Sequence, residues 1–188
     1  MPKEKASVSD VLLKAFNESG GKTIDLVVDH SILNGVTGEM FQWWTPSISG
    51  AERYIMWCPE EHVDFKWEIP PTQESPFGSI HIAAEKLGDY PASGLRIRLE
   101  DPRDCPINRI YLTFGCGSML TPDNRIMVSI CHEFEETPDG IRMRSTFRLP
   151  SKTPKRFIDA LRRHNYLEMG HLPEFLPELF RKETGKQH

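Results

Sequence analysis

"TPKRFIDALRRHNYLEMG", residues 153–170, decides how this chain is read. Phe157, Ala160, Leu161, His164, Leu167, Glu168 and His171 recur at steps of three and four. They therefore share one stripe of an α-helix. Thr153-Pro154 reads as an N-cap with proline at the first helical position, and Gly170 reads as the stop. Pro173 and Pro177 should break off a second short piece, "PEFLPELFRK". Arg156, Arg162, Arg163 and Asn165 fall largely off the stripe. His164 and Glu168 continue this apolar stripe and would meet the core. A glutamate buried without a partner is costly, so something has to compensate Glu168.

Upstream of this helix the pattern changes to period two. "TIDLVVDHSI", "SIHIAAEKLG", "GLRIRLED", "INRIYLTFG", "NRIMVSICHEFEE" and "GIRMRSTFRL" read as strands, separated by Asp89, Gly94, Pro102, Pro106, "TPDN" and "TPDG". "RYIMWC" and "HVDFKWEI" read as two further strands around Pro59. "SVSDVLLKAFNESGG" reads as a helix capped by Ser9 and ended by Gly20-Gly21, and "GVTGEMFQWWTP" as a short helix from Thr37 to Pro46. A meander of strands followed by one long helix implies an α+β fold, with a curved antiparallel sheet wrapped around the C-terminal helix. A ligand cavity between sheet and helix comes with that architecture. The expected division is an N-terminal helical extension, residues 1–22, and a single domain over 23–188.

Totals narrow the function. The chain has 188 residues, 38% hydrophobic and 27% charged, with net charge −4 and a pI near 6.0. That is ordinary for a globular domain and carries no electrostatic footprint of a nucleic-acid partner. No apolar run nears the roughly 18 residues of a membrane span. The charged start "MPKEKASVSD" lacks the apolar stretch of a signal peptide, so a cytoplasmic protein is expected. Cys58, Cys105, Cys116 and Cys131 form no CxxC pair. Cys116 in "FGCGSML" has no flanking motif of a nucleophile. Nothing speaks to oligomeric state, for which a homodimer is the base expectation.

The i, i+4 spacing of His164 and Glu168 lets an imidazole nitrogen and a carboxylate oxygen converge on one ion. The bland alternative is an ion pair with Arg142, Arg144 or Arg148. Further ligands would have to come from strands: His62, His81, Glu85 and His132 are candidates, and His171 lies past Gly170. Alternation groups His132 with Val128, Ile130 and Phe134, an inward face. It places His81 and Glu85 on one face with Leu87. It groups His62 with Asp64, Lys66 and Glu68, the side expected to meet solvent.

As a set, "GVTGEMFQWW", "YIMWCPEEH", the lone glutamate of "HIAAEKLG", "CHEFEE…DGIRMRSTFRL" and "HNYLEMGHLPEFLPELF" resemble the diacetylphloroglucinol hydrolase and phloretin hydrolase family, from about Gly35 to Phe180. These are zinc enzymes that cleave the carbon–carbon bond between an acyl group and a phenolic ring. Their catalytic domain has a helix-grip fold like START and birch-pollen-allergen proteins. The resemblance implies Zn²⁺ held by His62, Glu85, His164 and Glu168. It implies Tyr54 and His132 at the reacting carbonyl, and a small phenolic ketone as substrate. Tyr54, Trp57, Phe65 and Tyr111 would contact that substrate, with Trp43 and Trp44 as further walls. Phe65 stands where the family has a polar residue. That departure keeps open a different metal-dependent reaction, such as hydrolysis of another β-diketone. The rival from another class is a non-catalytic helix-grip module that carries an aromatic or lipid ligand.

Overall fold

The period-two runs form a single curved sheet in the computed structural model, which describes residues 5–186. In chain order the elements are α1 (Val8–Ser19), β1 (Thr23–Asp29), β2 (Leu33–Asn34), α2 (Gly38–Ser47), α3 (Ala51–Trp57), β3 (His62–Ile69), β4 (Ile80–Leu87), β5 (Tyr90–Leu99), β6 (Thr113–Leu120), β7 (Ile126–Thr137), β8 (Gly140–Pro150) and α4 (Lys155–Thr184). The strands order β1-β8-β7-β6-β5-β4-β3, with β2 also on β8, and every pairing is antiparallel. The concave face receives α4. This is the helix-grip arrangement that the meander and terminal helix implied.

Two apolar clusters hold the sheet to its helices. One gathers Val8 and Leu12 of α1, Leu26 and Val28 of β1, and Phe157 and Leu161 of α4. Helix α1 is thus packed into the body of the fold. Its cap is Ser7, not Ser9: the Ser7 hydroxyl accepts from Asp10 N and the Asp10 carboxylate accepts from Ser7 N, a capping box. Gly20 ends it in the left-handed region, where glycine carries no steric cost. The other cluster gathers Trp44, Phe134, Met143, Met169, Leu172, Leu176 and Phe180.

Three local expectations change. "RYIMW" lies within α3, not a strand, so Tyr54 is presented from a helix. Residues 107–112 carry no strand, and β6 begins at Thr113. Helix α4 runs 30 residues, straight past Gly170, Pro173 and Pro177. Magnitudes explain the last result. An interior proline costs about 3 kcal/mol. Each fully buried Leu, Met or Phe returns about 1.5–3 kcal/mol. Met169, Leu172, Leu176 and Phe180 are all at or below 1% exposure, and together they outweigh two prolines.

A β-bulge in β3 matters most for the site. His62 pairs with Glu85, yet Asp64 pairs with Ala84, so β3 advances two residues where β4 advances one. The extra residue shifts the alternation. Phe65, Trp67 and His62 then all face the concave side, and His62 is 3% exposed. The regular alternation had put His62 on the opposite side from Phe65 and Trp67.

Candidate metal centre and cavity

Under the middle of α4 the sheet leaves a cavity of about 390 Å³, within the usual range of small-ligand sites. Apolar walls come from Phe41, Phe65, Ile97, Met119, Ile130 and Phe147, among others. At one end lie Tyr54, Glu85, His132, His164 and Glu168. Trp57 and Phe65 line the cavity. Trp43 and Trp44 do not: they pack edge-on against Phe180 and Phe175. Tyr111 does not line it either. It sits in the 107–112 segment, which crosses the convex side and donates its backbone N–H to Glu133.

Three contacts link the four metal candidates. Glu168 Oε2 lies 3.7 Å from His62 Nε2 and 3.7 Å from His164 Nε2. Glu85 Oε2 lies 3.5 Å from the same His164 nitrogen. Tetrahedral ligands about 2.1 Å from an ion are separated by roughly 3.4 Å. These separations match that edge within a few tenths of an ångström. His62 Nε2 is buried and has no hydrogen-bond partner among the described residues. A buried nitrogen without a partner is expensive unless something binds it.

Hydrogen bonds on the far sides of the rings leave those nitrogens open. His62 Nδ1–H donates to the Tyr54 carbonyl at 2.9 Å. His164 Nδ1–H donates to Glu61 Oε2 at 2.9 Å. In the neutral rings each Nε2 then carries the lone pair, the form a cation needs. Glu61 is itself anchored by Arg163 at 2.8 Å and by the Gly88 N–H at 3.0 Å. The sequence reading missed Glu61. Its signal, a second acid beside Glu60 just before His62, does not distinguish it from a surface acid.

Charge balance points the same way. Glu85 and Glu168 are buried, at 7% exposure each. The arginine explanation fails on strand parity. Arg142, Arg144 and Arg148 pair with Glu135, Asp29 and Asp25 on the convex side. Inside, the described charge partners of the two acids are imidazoles. Burial alone would lower the His164 imidazole, but Glu168, with Cys58, Glu61 and Glu85, holds it well above the ordinary histidine value. Burial likewise opposes ionisation of Glu168, yet His164 and His62 keep its carboxyl down at about 2. In the ion-free chain a proton on His164 does part of the work that a divalent cation would do.

Tyr54 completes this end. Its O–H donates to Glu85 Oε1, and its ring stacks on His62 with centroids 3.9 Å apart. Burial, and then the Glu85 charge, raise its phenol far above the usual value, so it stays protonated. Trp57 Nε1 donates to the Glu168 carbonyl at 2.8 Å and pins α3 to α4. His132 lines the cavity from β7, and burial lowers it to about 4, so it is neutral. His81 is buried between Phe65 and Trp67, away from the four ligands' contacts. His171 sits outside the cluster, bonded to the Trp57 carbonyl at 3.1 Å. Cys58 was not anticipated: its thiol lies within 4.8 Å of a ring nitrogen of both His62 and His164. A soft cation could draw on it. The two buried carboxylates, without an Arg or Lys partner among the described residues, favour the two-nitrogen, two-oxygen set.

The chain's relatives agree with the family resemblance. A family model described as "DAPG hydrolase PhiG domain" matches residues 19–159. Phloretin hydrolase of Eubacterium ramulus is 25% identical over 84% of this chain and 68% of its own length. The 2,4-diacetylphloroglucinol hydrolase of Pseudomonas protegens is 26% identical over 79% of this chain and 61% of its own length. The chain thus spans roughly two thirds of those enzymes. Among solved structures, Ara h 8.0201 superposes with a TM-score of 0.51 at 10% identity, covering 84% of this chain and 98% of that one. A protein of Nitrosomonas europaea gives 0.51 at 12%, covering 87% and 97%. These two likenesses concern the fold alone.

Proposed function

The chain belongs to the DAPG hydrolase PhiG domain family, and from that membership we propose that it is a zinc-dependent hydrolase cleaving the carbon–carbon bond between an acyl group and a phenolic ring. One observation carries the reading. Two imidazole nitrogens and two carboxylates, none balanced by Arg or Lys among the described residues, lie together beside a cavity with mostly apolar walls. His62, Glu85, His164 and Glu168 would hold the ion. Bound there, zinc would supply Lewis-acid activation of a water and of the acyl oxygen.

The chain's own groups then divide the work. The apolar walls hold the ring and exclude bulk water, with Phe65 and Trp57 beside Tyr54. The ring is held as its keto tautomer, so that the acyl group and the ring form a β-diketone. Water adds to the acyl carbonyl, and His132 donates to the oxygen as negative charge develops there. The bond between acyl carbon and ring carbon breaks. Its electron pair passes to the ring as an enolate, which takes a proton on oxygen, while the ring carbon keeps the hydrogen it gained on ketonisation. One water and one acyl phenol give one carboxylic acid and one phenol. Tyr54, kept protonated and held by Glu85, orients ring oxygens or returns a proton.

Protein purified without added metal should carry near one equivalent of zinc. Incubation with an acylphloroglucinol should release acid and phenol in equal amounts. His164→Ala and Glu168→Ala should lose both metal and turnover. Full metal content and activity in either variant would remove the ligand assignment. A metal-free, inactive protein that still binds aromatic ketones would favour the binding-module reading.

A further inference from the structure

A second polar chain runs from Glu168 to the cavity by another route, and it involves neither zinc nor the open nitrogens of His62 and His164. Asn165 Nδ2 donates to Glu168 Oε1 at 2.8 Å. Asn165 Oδ1 lies 3.0 Å from His30 Nε2. The same His30 nitrogen lies 3.1 Å from Ser145 Oγ, and Ser145 Oγ lies 2.8 Å from His132 Nδ1. Asn165 and Ser145 are fully buried, at 0% exposure. The residues come from α4, the end of β1, β8 and β7.

Following the protons along this chain leaves one arrangement. Asn165 turns its amino group toward the Glu168 carboxylate oxygen, 2.8 Å away. That puts the Asn165 oxygen toward His30. Two acceptors cannot share a 3.0 Å contact, so His30 Nε2 carries a proton, whether the ring is neutral or charged. Ser145 Oγ therefore faces a donor on the His30 side. Its own proton has one remaining acceptor among the described residues, His132 Nδ1. The alternative, with His132 Nδ1 also donating to Ser145, would strand a buried hydroxyl proton at a cost of roughly 1–3 kcal/mol.

We propose that the Glu168–Asn165–His30–Ser145 chain fixes His132 in its Nε2–H tautomer, so that a neutral imidazole presents a hydrogen-bond donor to the cavity. His30, Ser145 and Asn165 are positioning residues; His132 is the group that meets the acyl oxygen. This role for His132 rests on the hydrolase reading above, but the tautomer does not. A neutral donor suits an oxygen that gains charge and later loses it, because it releases the product oxygen without first having to lose a proton. The chain also explains why Ser145 and Asn165 are polar at positions where α4 meets the sheet.

The test is long-range ¹H–¹⁵N NMR on protein labelled at histidine nitrogen, with the His132 signal assigned by its absence in His132→Gln. The wild-type protein should show His132 with a protonated Nε2 and a bare Nδ1, with or without zinc. Ser145→Ala should lose that pattern or mix it with the other tautomer, and Ser145→Thr should restore it. With an acylphloroglucinol substrate, Ser145→Ala should lower kcat roughly 10-fold or more while KM changes little, as expected when a donor to the reacting oxygen is misaligned. A wild-type His132 protonated on Nδ1 overturns the proposal without recourse to any variant. So does a tautomer unmoved in a folded Ser145→Ala. Failure of the hydrolase reading would leave a protein without turnover but with the Nε2–H signal intact.

Discussion

Glu61→Gln separates the role of the bond behind His164 from the role of His164 itself. The glutamate side chain is 3% exposed and accepts three hydrogen bonds: from His164 Nδ1 at 2.9 Å, Arg163 at 2.8 Å and the Gly88 N–H at 3.0 Å. Glutamine keeps the shape and one acceptor oxygen but removes the charge. Arg163 is 61% exposed and can turn to water, so little of the loss falls there. The loss falls on the buried imidazole, whose far nitrogen becomes less basic and less firmly aimed. Removing such a partner behind a metal-bound histidine typically weakens metal binding 10–100-fold. That ratio equals about 1.4–2.7 kcal/mol. The assay is zinc competition against a chromophoric chelator at pH 7, with Arg163→Ala in parallel. Arg163→Ala should shift affinity by no more than about threefold, since an exposed ion pair contributes little. Glu61→Gln binding zinc as tightly as wild type, with the fold intact, would refute the reasoning.

Other consequences follow from the same coordinates. His81 is buried with no hydrogen-bond partner for Nδ1 among the described residues, and burial lowers it from 6.5 to about 4. The unfolded chain takes up that proton first, so the stabilisation from a neutral His81 is complete above pH 6.5 and drains away as pH falls toward 4. Up to about 3 kcal/mol is involved, at about 1.4 kcal/mol per pH unit. Urea midpoints of wild type and His81→Leu should therefore converge or cross between pH 7 and pH 4.5; parallel curves would contradict the assignment. Leu176→Ala, past both prolines, should cost about 2–5 kcal/mol if α4 is continuous and its far end is core. A cost under about 1 kcal/mol would mean that the last turns are a surface feature. Deleting Val63 should straighten the bulge and turn His62 to the convex side. Zinc affinity should then be lost while the far-ultraviolet circular dichroism of the sheet persists. Retained metal binding would show that His62 does not depend on the bulge.

The linear order of residues was enough to establish the strand meander, the closing helix and the i, i+4 pair His164 and Glu168. Those features are written in periodicities of two and 3.6 that act within one element. The same logic put His132 on the inward face and His81 and Glu85 on one shared face, because β7 is regular there and β4's irregularity falls beyond Glu85. Alternation went wrong at His62, because a bulge is a relation between two strands. Residue 63 counts as extra only against Glu85 and Ala84 of the partner. Tyr54 was read as strand because α3 is short and apolar, and a few such residues carry either pattern. Gly170 and two prolines looked like a stop because local propensity argues so, and only the core waiting for Leu172, Leu176 and Phe180 outweighs it. Glu61, His30, Ser145 and Asn165 had no legible role at all. His30 and Asn165 are 135 residues apart in the chain, and Glu61 and His164 are 103 apart. Their functions consist of who donates to whom, and that is settled only when the sheet closes on the helix.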